Sequence, residues 1–381
     1  MSQRYVDPEP FRPQEEPPLT PEQERFYTAN QWQLIRWRFR RHKLAVVSAW
    51  FLGILYFSIL ITEFLAPYPL DSRNANFVHA PPQGVHLFHE GSFIGPFVYG
   101  YESGLDLESM KRTYVPDPER IYRVQWFCRG DPYRFWGQIP ANLHLFCVED
   151  GGTIFLLGTD RLGRDLLSRI IYGARVSLTI GILGVAVSFV LGIVLGGIAG
   201  YYGGWADSII QRVIEVIRSF PVIPLWMALS AALPVTWDPL WVYFGITVIL
   251  GMIDWTGLAR AVRSKILALR EEDFATAARL MGARPARIIG LHMIPSFTSH
   301  LIASATLSIP AMILGETALS FLGLGLRPPI TSWGVLLTEA QNINVVELYP
   351  WLMLPVVPVI LVVLAFNFLG DGLRDAAAPY G

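Results

Sequence analysis

Glu271, Glu272 and Asp273, followed by Phe274, Ala277, Ala278 and Met281, are the residues whose types and spacing point most directly to work on another molecule. The three acids suit the positive end of a helix dipole. The four apolar residues recur at i, i+3, i+4 and i+7, which places them on one helical face. Gly282 and then Pro285 supply a stop signal. The spacing therefore predicts a two-turn helix with a mostly alanine face, small enough to seat in a partner's cleft. The chemistry this offers is docking, not bond-making. The chain has no G-x-x-x-x-G-K-[ST] phosphate loop, no H-E-x-x-H pair and no G-x-S-x-G elbow. An enzyme reading is rejected on that basis.

The elements that would carry this helix are apolar. Of 381 residues, 52% are hydrophobic and only 16% charged, and the mean hydropathy is +0.39. Soluble domains carry more charge, so the composition reads as a polytopic membrane protein. Runs near the roughly 20 residues needed to cross a bilayer fall at 44–66, 176–199, 209–233, 240–258, 297–318 and 348–369. Pro221, Pro224 and Pro234 interrupt the third run and its border with the fourth. Arg36, Arg38, Arg40, Arg41 and Lys43 precede the first run, while Arg260, Arg263, Lys265, Arg270, Arg279, Arg284 and Arg287 crowd the loop after the fourth. Both clusters are expected on the cytoplasmic side, with both termini. Residues 1–21, rich in Pro, Glu and Gln, read as a disordered tail. No cleavable signal peptide is expected, because the first apolar run begins beyond position 40.

Residues 67–157 form a long extracytoplasmic segment with many aromatics and alternating runs such as Ile121–Trp126. The alternation predicts short strands, and the aromatics predict a small folded insertion domain. It is read either as a scaffold packed on the membrane domain or as a docking surface. Cys128 and Cys147 both lie here. An oxidising compartment permits a disulfide between them, while two buried free thiols remain the alternative. His79, His86 and His89 lack accompanying ligands at zinc spacing, so they read as solvated loop residues and no metal site is expected.

Further along, Arg161, Arg164, Asp165 and Arg169 alternate with leucines, as in an amphipathic helix at the membrane surface. Gly192, Gly196 and Gly200 give one smooth face for close helix packing. Arg212, Glu215 and Arg218 are spaced for an internal ion-pair network. Asp254 and Glu316 are acids near span ends, placed at the interface or on a transport path. Pro224, Met227, Ser304 and Ser308, together with Pro221 and Pro310, are candidates to line such a path.

The segment EEDFATAARLMGARPARIIGLHMIP (Glu271–Pro295) resembles the cytoplasmic coupling motif of ABC importer permeases: an EAA triplet, a glycine and a distal proline. Here the triplet is Thr276-Ala277-Ala278, followed by Gly282, Ala283 and Pro295. Thr276 replaces the leading acid, and His292 stands where an aliphatic residue is usual. Both departures are common in the oligopeptide, dipeptide and nickel branch. FRRHKLAVVSAW (Phe39–Trp50), GTDRLGRDLLSRIIYGARVSLTIG (Gly158–Gly181), ETALSFLGLGLRPPITSWG (Glu316–Gly334) and AFNFLGDGLRDAAAP (Ala365–Pro379) resemble the C-type subunit of the same branch. The resemblance leaves most of residues 67–157 unexplained.

The resemblance implies an all-α polytopic protein with six transmembrane helices of the type I ABC importer kind. The insertion domain separates the first helix (44–66, after a tail and basic helix at 1–43) from a core at 158–381, with the coupling helix near 271–284. It implies a permease subunit of an ATP-driven importer in the bacterial inner membrane. Its partners would be a homologous second permease, two ATPase subunits that bind ATP and Mg, and an extracytoplasmic solute-binding protein. No cofactor is expected in this chain. Peptides are the first substrate reading, with short oligosaccharides or nickel as alternatives. A receptor or scaffold without transport is the alternative from another class.

Overall fold

The computed structural model describes residues 28–106, 111–149, 151–234 and 236–377; the predicted disordered tail lies outside them. A basic helix, α1 (Gln31–Arg41), begins at Asn30, whose N–H donates to Gln33 Oε1 at 3.0 Å. Arg38, Arg40 and Arg41 occupy its last turn, where the helix dipole favours cations. The first apolar helix, α2 (Lys43–Leu65), follows directly.

The outer domain is a four-stranded antiparallel meander in chain order, β1 (His86–His89), β2 (Ser92–Asp106), β3 (Lys111–Phe135) and β4 (Ile139–Val148). The expected strands are present, but β2 and β3 run for 15 and 25 residues and are not short. Cys128 and Cys147 join β3 to β4 in a disulfide, with Cα atoms 6.1 Å apart. His86 and His89 sit on β1 against Tyr99, not in a solvated loop. His79 stacks on Tyr349 at 4.0 Å. The aromatics divide: Phe97 is fully buried, whereas Phe93, Trp126, Phe127 and Trp136 are exposed.

The chain then enters the membrane through a tight turn, not through an interfacial amphipathic helix. Residues 158–165 are non-helical, and α3 (Leu166–Tyr202) starts only at Leu166, capped by Asp165. Asp160 Oδ1 accepts from the N–H groups of Leu162 (2.8 Å) and Arg164 (3.0 Å), closing the turn. Gly163 is required within it: φ is +70°, and a Cβ there would lie 2.0 Å from the Asn74 carbonyl oxygen. Asp160, Arg164, Asp165 and Arg169 are all buried. Alternation with leucine therefore reflects an inward-folded charge network, since Asp160 pairs with both arginines.

Helix α3 packs along α6 (Pro239–Leu269) through the predicted glycine face. A Cβ at Gly196 would lie 2.5 Å from Ala259 O, and one at Gly200 2.8 Å from Arg263 O. These distances leave no room for a larger residue.

The predicted third span is broken. Residues 209–233 divide between α4 (Gly204–Ser219) and α5 (Val222–Ala231), whose axes differ by 89°. Pro221 cannot donate a backbone hydrogen bond and holds Phe220 in an extended conformation (φ −91°, ψ 142°), so α4 must stop. Among the described residues five helices are long and apolar enough to cross a membrane, or six if the bent pair is one span. After α7 (Asp273–Leu280) come α8 (Thr298–Phe321), the short α9 (Trp333–Leu337) and the last apolar helix, α10 (Pro350–Ala377).

One core cluster joins α2, α3, α8 and α10 through Leu52, Leu178, Ile313, Val362 and Phe366. A second joins α3, α6 and α8 through Ile180, Ile246, Leu250, Met312 and Leu319. Glu316 lies at their junction, fully buried and accepting hydrogen bonds from Ser177 (3.2 Å), Ser320 (2.7 Å) and Ser332 (2.6 Å). It is thus an internal tie between α3, α8 and the start of α9, not an acid at the interface.

Candidate coupling site

Helix α7, eight residues long, is the predicted two-turn helix and has the predicted stop. Glu272 is the N-cap residue without a side-chain cap, and Asp273 opens the first turn. At the other end Gly282 (φ +79°) donates to Arg279 O at 3.0 Å, and Ala283 donates to Ala278 O at 3.1 Å. This pair of bonds is a Schellman motif, and it explains the glycine: the left-handed residue after the helix must lack a Cβ. The glycine therefore sets where the chain turns back, and Pro285 opens the next short helical turn.

The burial of α7 corrects the expected docking face. Ala275 and Ala278 are buried in one cluster with Val262 and Ile266 of α6, Ile288 and Met293 of the following segment, and Phe297 and Leu301 at the start of α8. Residues three apart on a helix share a face, and this one is sealed by the chain itself. Ala278 is therefore an internal packing residue, closed to a partner. The open side is formed by Phe274 (41% exposed), Ala277, Leu280 (84%) and Met281 (81%). The alanine pattern draws the face one position round the helix and so leaves out Leu280; its spacing of three from Ala277 is the available signal. Glu271, Glu272 and Asp273 ring the open side at its N-terminal end, while Pro295 is exposed and Ala283 half-buried. Arg279 reaches back to Arg270 O at 3.2 Å and lies over the Tyr201 ring, 6.0 Å from its centroid.

Large apolar side chains on a two-turn helix cost free energy in water, so this surface calls for a cover. Its seat is equally informative. The main neighbour of α7 is the 288–293 segment, and the cluster that holds Ala275 and Ala278 continues from there to α6 and the start of α8.

The family can be tested against this geometry. Residues 192–379 match the binding-protein-dependent transport system inner membrane component, and residues 30–82 match the N-terminal TM domain of oligopeptide transport permease C. The chain is 30% identical over 352 residues to the dipeptide transport system permease protein DppC of Lactococcus lactis subsp. cremoris, covering 90% of this chain and 88% of that protein. The chain belongs to this permease family. Over 223 residues, 58% of this chain, it is 41% identical to the DppC of Alkalihalophilus pseudofirmus and 40% identical to the oligopeptide transport system permease protein OppC of Haemophilus influenzae, covering 71% and 69% of those proteins. It is accordingly a multi-pass membrane permease subunit.

The residues expected to line a path are not brought together by any described cavity of this permease. Pro224 is exposed on α5, Met227 packs partly into the second core cluster, and Ser304 and Ser308 are half-buried on α8. A cavity of about 340 Å³ lies instead at the α4–α5 bend, lined by Arg218, Val222, Trp226, Asp254, Thr256 and others. Arg218 does not join the expected network with Arg212 and Glu215. Those two pair at 2.9 Å on the exposed face, whereas Arg218 Nε donates to Thr256 Oγ1 at 3.2 Å. Asp254, mid-way along α6, accepts from Ser188 Oγ at 3.3 Å. Asp254 is legible in the sequence as an ionisable residue inside an apolar span, whereas its neighbourhood with Arg218 in this cavity is not. The helical i, i+3 spacing pulled Arg218 toward the wrong partner.

Proposed function

We propose that this permease takes up peptides in an ATP-driven ABC importer, as the C-type member of a pair with a homologous permease. Two cytoplasmic ATPase subunits, which hold the ATP and Mg, cover the open side of α7. An extracytoplasmic binding protein delivers the solute. The subunit sits in the bacterial inner membrane with both termini in the cytoplasm, as its basic flanking residues favour. Support for the peptide reading comes from the relatives, which are named for dipeptide and oligopeptide transport.

One observation carries the coupling role: large apolar residues face outward on a helix whose small residues are packed into α6 and α8. Closure of the ATPases pushes on Phe274, Leu280 and Met281. The Ala275/Ala278 seat then passes the displacement to Val262, Ile266, Phe297 and Leu301. A ligand or partner shifts an equilibrium only through different contacts in its two states, and this seat is where such a difference enters. The solute path passes beside Arg218, Trp226 and Asp254 at the bent span, with Pro224, Met227, Ser304 and Ser308 along it.

Proteoliposomes carrying both permeases, the ATPases and the binding protein test this reading. ATP-dependent uptake of a labelled tripeptide is expected, with loss of uptake when Leu280 is replaced by aspartate. Uptake of an oligosaccharide or nickel in place of peptides overturns the substrate reading, and unaltered uptake by the Leu280→Asp form overturns the coupling site.

A further inference from the structure

The lipid-facing side of α2 does not end with the helix. Leu44, Val47, Trp50, Ile54, Phe57 and Leu60 form an exposed apolar stripe along it, at the three- and four-residue spacing of one helical face. At its outer end the stripe meets the turn between β3 and β4. Trp136 Nε1 donates to Leu60 O at 3.0 Å, and the Trp136 backbone N–H donates to Glu63 Oε1 at 3.3 Å. Arg175 of α3 lies over the Trp136 ring, 4.5 Å from its centroid, and its guanidinium grips both oxygens of Glu63 at 2.7 Å. Phe127 of β3 stacks on Phe64 at 6.1 Å.

These contacts fix the turn, yet they leave its apolar side open. Trp136 is 53% exposed and Ile139 63% exposed, and Phe127, earlier on β3 and against Phe64, is exposed as well. The turn also holds Trp136 at φ 52° and Gly137 at φ 73°. A bulky side chain rarely adopts a positive φ, so its placement here is imposed by the surrounding contacts.

Depth decides what covers this surface. From Lys43 to Leu60 the chain rises 17 positions, about 26 Å at about 1.5 Å per residue. The hydrocarbon core is about 30 Å thick. Leu60, and Trp136 bonded to it, therefore lie at the outer edge of the hydrocarbon. Tryptophan is favoured there, because its ring is apolar and its N–H finds a polar partner.

We propose that the β3–β4 turn is a membrane anchor. Trp136, Ile139 and Phe127 enter the outer leaflet at the boundary of headgroups and acyl chains, and continue the lipid-facing stripe of α2. The outer domain accordingly lies down on the bilayer beside α2. Its remaining surface, not this edge, is free for a delivered solute or its carrier.

A spin label placed on the complete importer in phospholipid nanodiscs tests this. The chain has two cysteines, and they are joined to each other, so an introduced thiol is the one that reacts. Ile139→Cys is the primary site, and Phe127→Cys serves where the first variant assembles poorly. Glu119→Cys, exposed on the earlier part of β3, is the aqueous comparison. Oxygen, which partitions into lipid, is expected to relax labels at 139 and 127 several-fold more effectively than a water-soluble nickel chelate, with the opposite order at 119. Dominant relaxation by the nickel chelate at 139 and 127 places the turn in water and overturns the proposal. Weak relaxation by both reagents means that protein covers the turn, and that also overturns it.

Discussion

The coupling segment and the outer entry turn invert ordinary burial in opposite senses. On the inner side alanines are inside, while Leu280, Met281 and Phe274 face out. On the outer side Asp160, Arg164 and Arg169 are inside, while Trp136, Phe127 and Ile139 face out. Apolar surface is exposed at both places, and the covers proposed for it differ: an ATPase over α7 and lipid over the β3–β4 turn. The charges at the outer turn are paired within the chain, Asp160 with Arg164 and Arg169, although the two arginines also border a cavity of about 220 Å³ beside Glu339. Exposed apolar groups thus mark where this permease meets other bodies, and buried charges mark where it must not move.

The sharpest way to break this comparison is to remove the hub of the outer network. Asp160→Ala removes the short pairs to Arg164 and Arg169 and leaves these two largely buried arginines only Glu339, at 4.0 and 3.6 Å. The loss of stability is expected to be about 3–5 kcal/mol, read as a large fall in the melting temperature of the purified permease or as failure to accumulate. A melting curve unchanged from wild type denies the network its structural role.

Leu280→Asp should do the reverse: normal insertion and melting, with ATP-driven uptake down by about tenfold or more, since an interface centre tolerates an unpaired charge poorly. Ala278→Leu separates the two sides of α7. Overfilling the seat is expected to cost about 1–3 kcal/mol and to lower uptake together with stability, whereas Leu280→Asp lowers uptake alone.

Asp165 sharpens the outer half through pH. Its burial raises the carboxyl from 3.8 to about 7, against the opposing hydrogen bonds from Ser168. A raised folded value means that the stabilising contribution is complete below the unfolded value and is lost as pH rises through about 7. Melting temperature should therefore decline by a few degrees between acidic and neutral pH, and Asp165→Asn should flatten that slope. The smallest effect belongs to the exposed Arg212–Glu215 pair: Arg212→Ala is expected to change stability by no more than about 0.5 kcal/mol, measured by the same melting assay.

Much of this was legible beforehand. Apolar length placed the membrane helices, alternation indicated strands in the insertion without their length or order, and Gly282 marked the end of α7, because each depends on covalent geometry or on transfer from water to lipid within a short window. The bend at Phe220–Pro221 was half legible. Proline marked the interruption, but the 89° turn depends on what α4 and α5 pack against.

Sequence by itself determined that the chain crosses a membrane several times and carries a short alanine-rich helix closed by Gly282, since composition, hydropathy and turn chemistry act locally. Only the tertiary structure decided that Ala278 faces inward and Leu280 outward, that Arg218 meets Thr256 and not Glu215, and that Arg164 and Arg169 are buried around Asp160. A periodic pattern names a face without naming its neighbour. Which face is sealed depends on segments distant along the chain, here α6 and α8 closing over one side of α7.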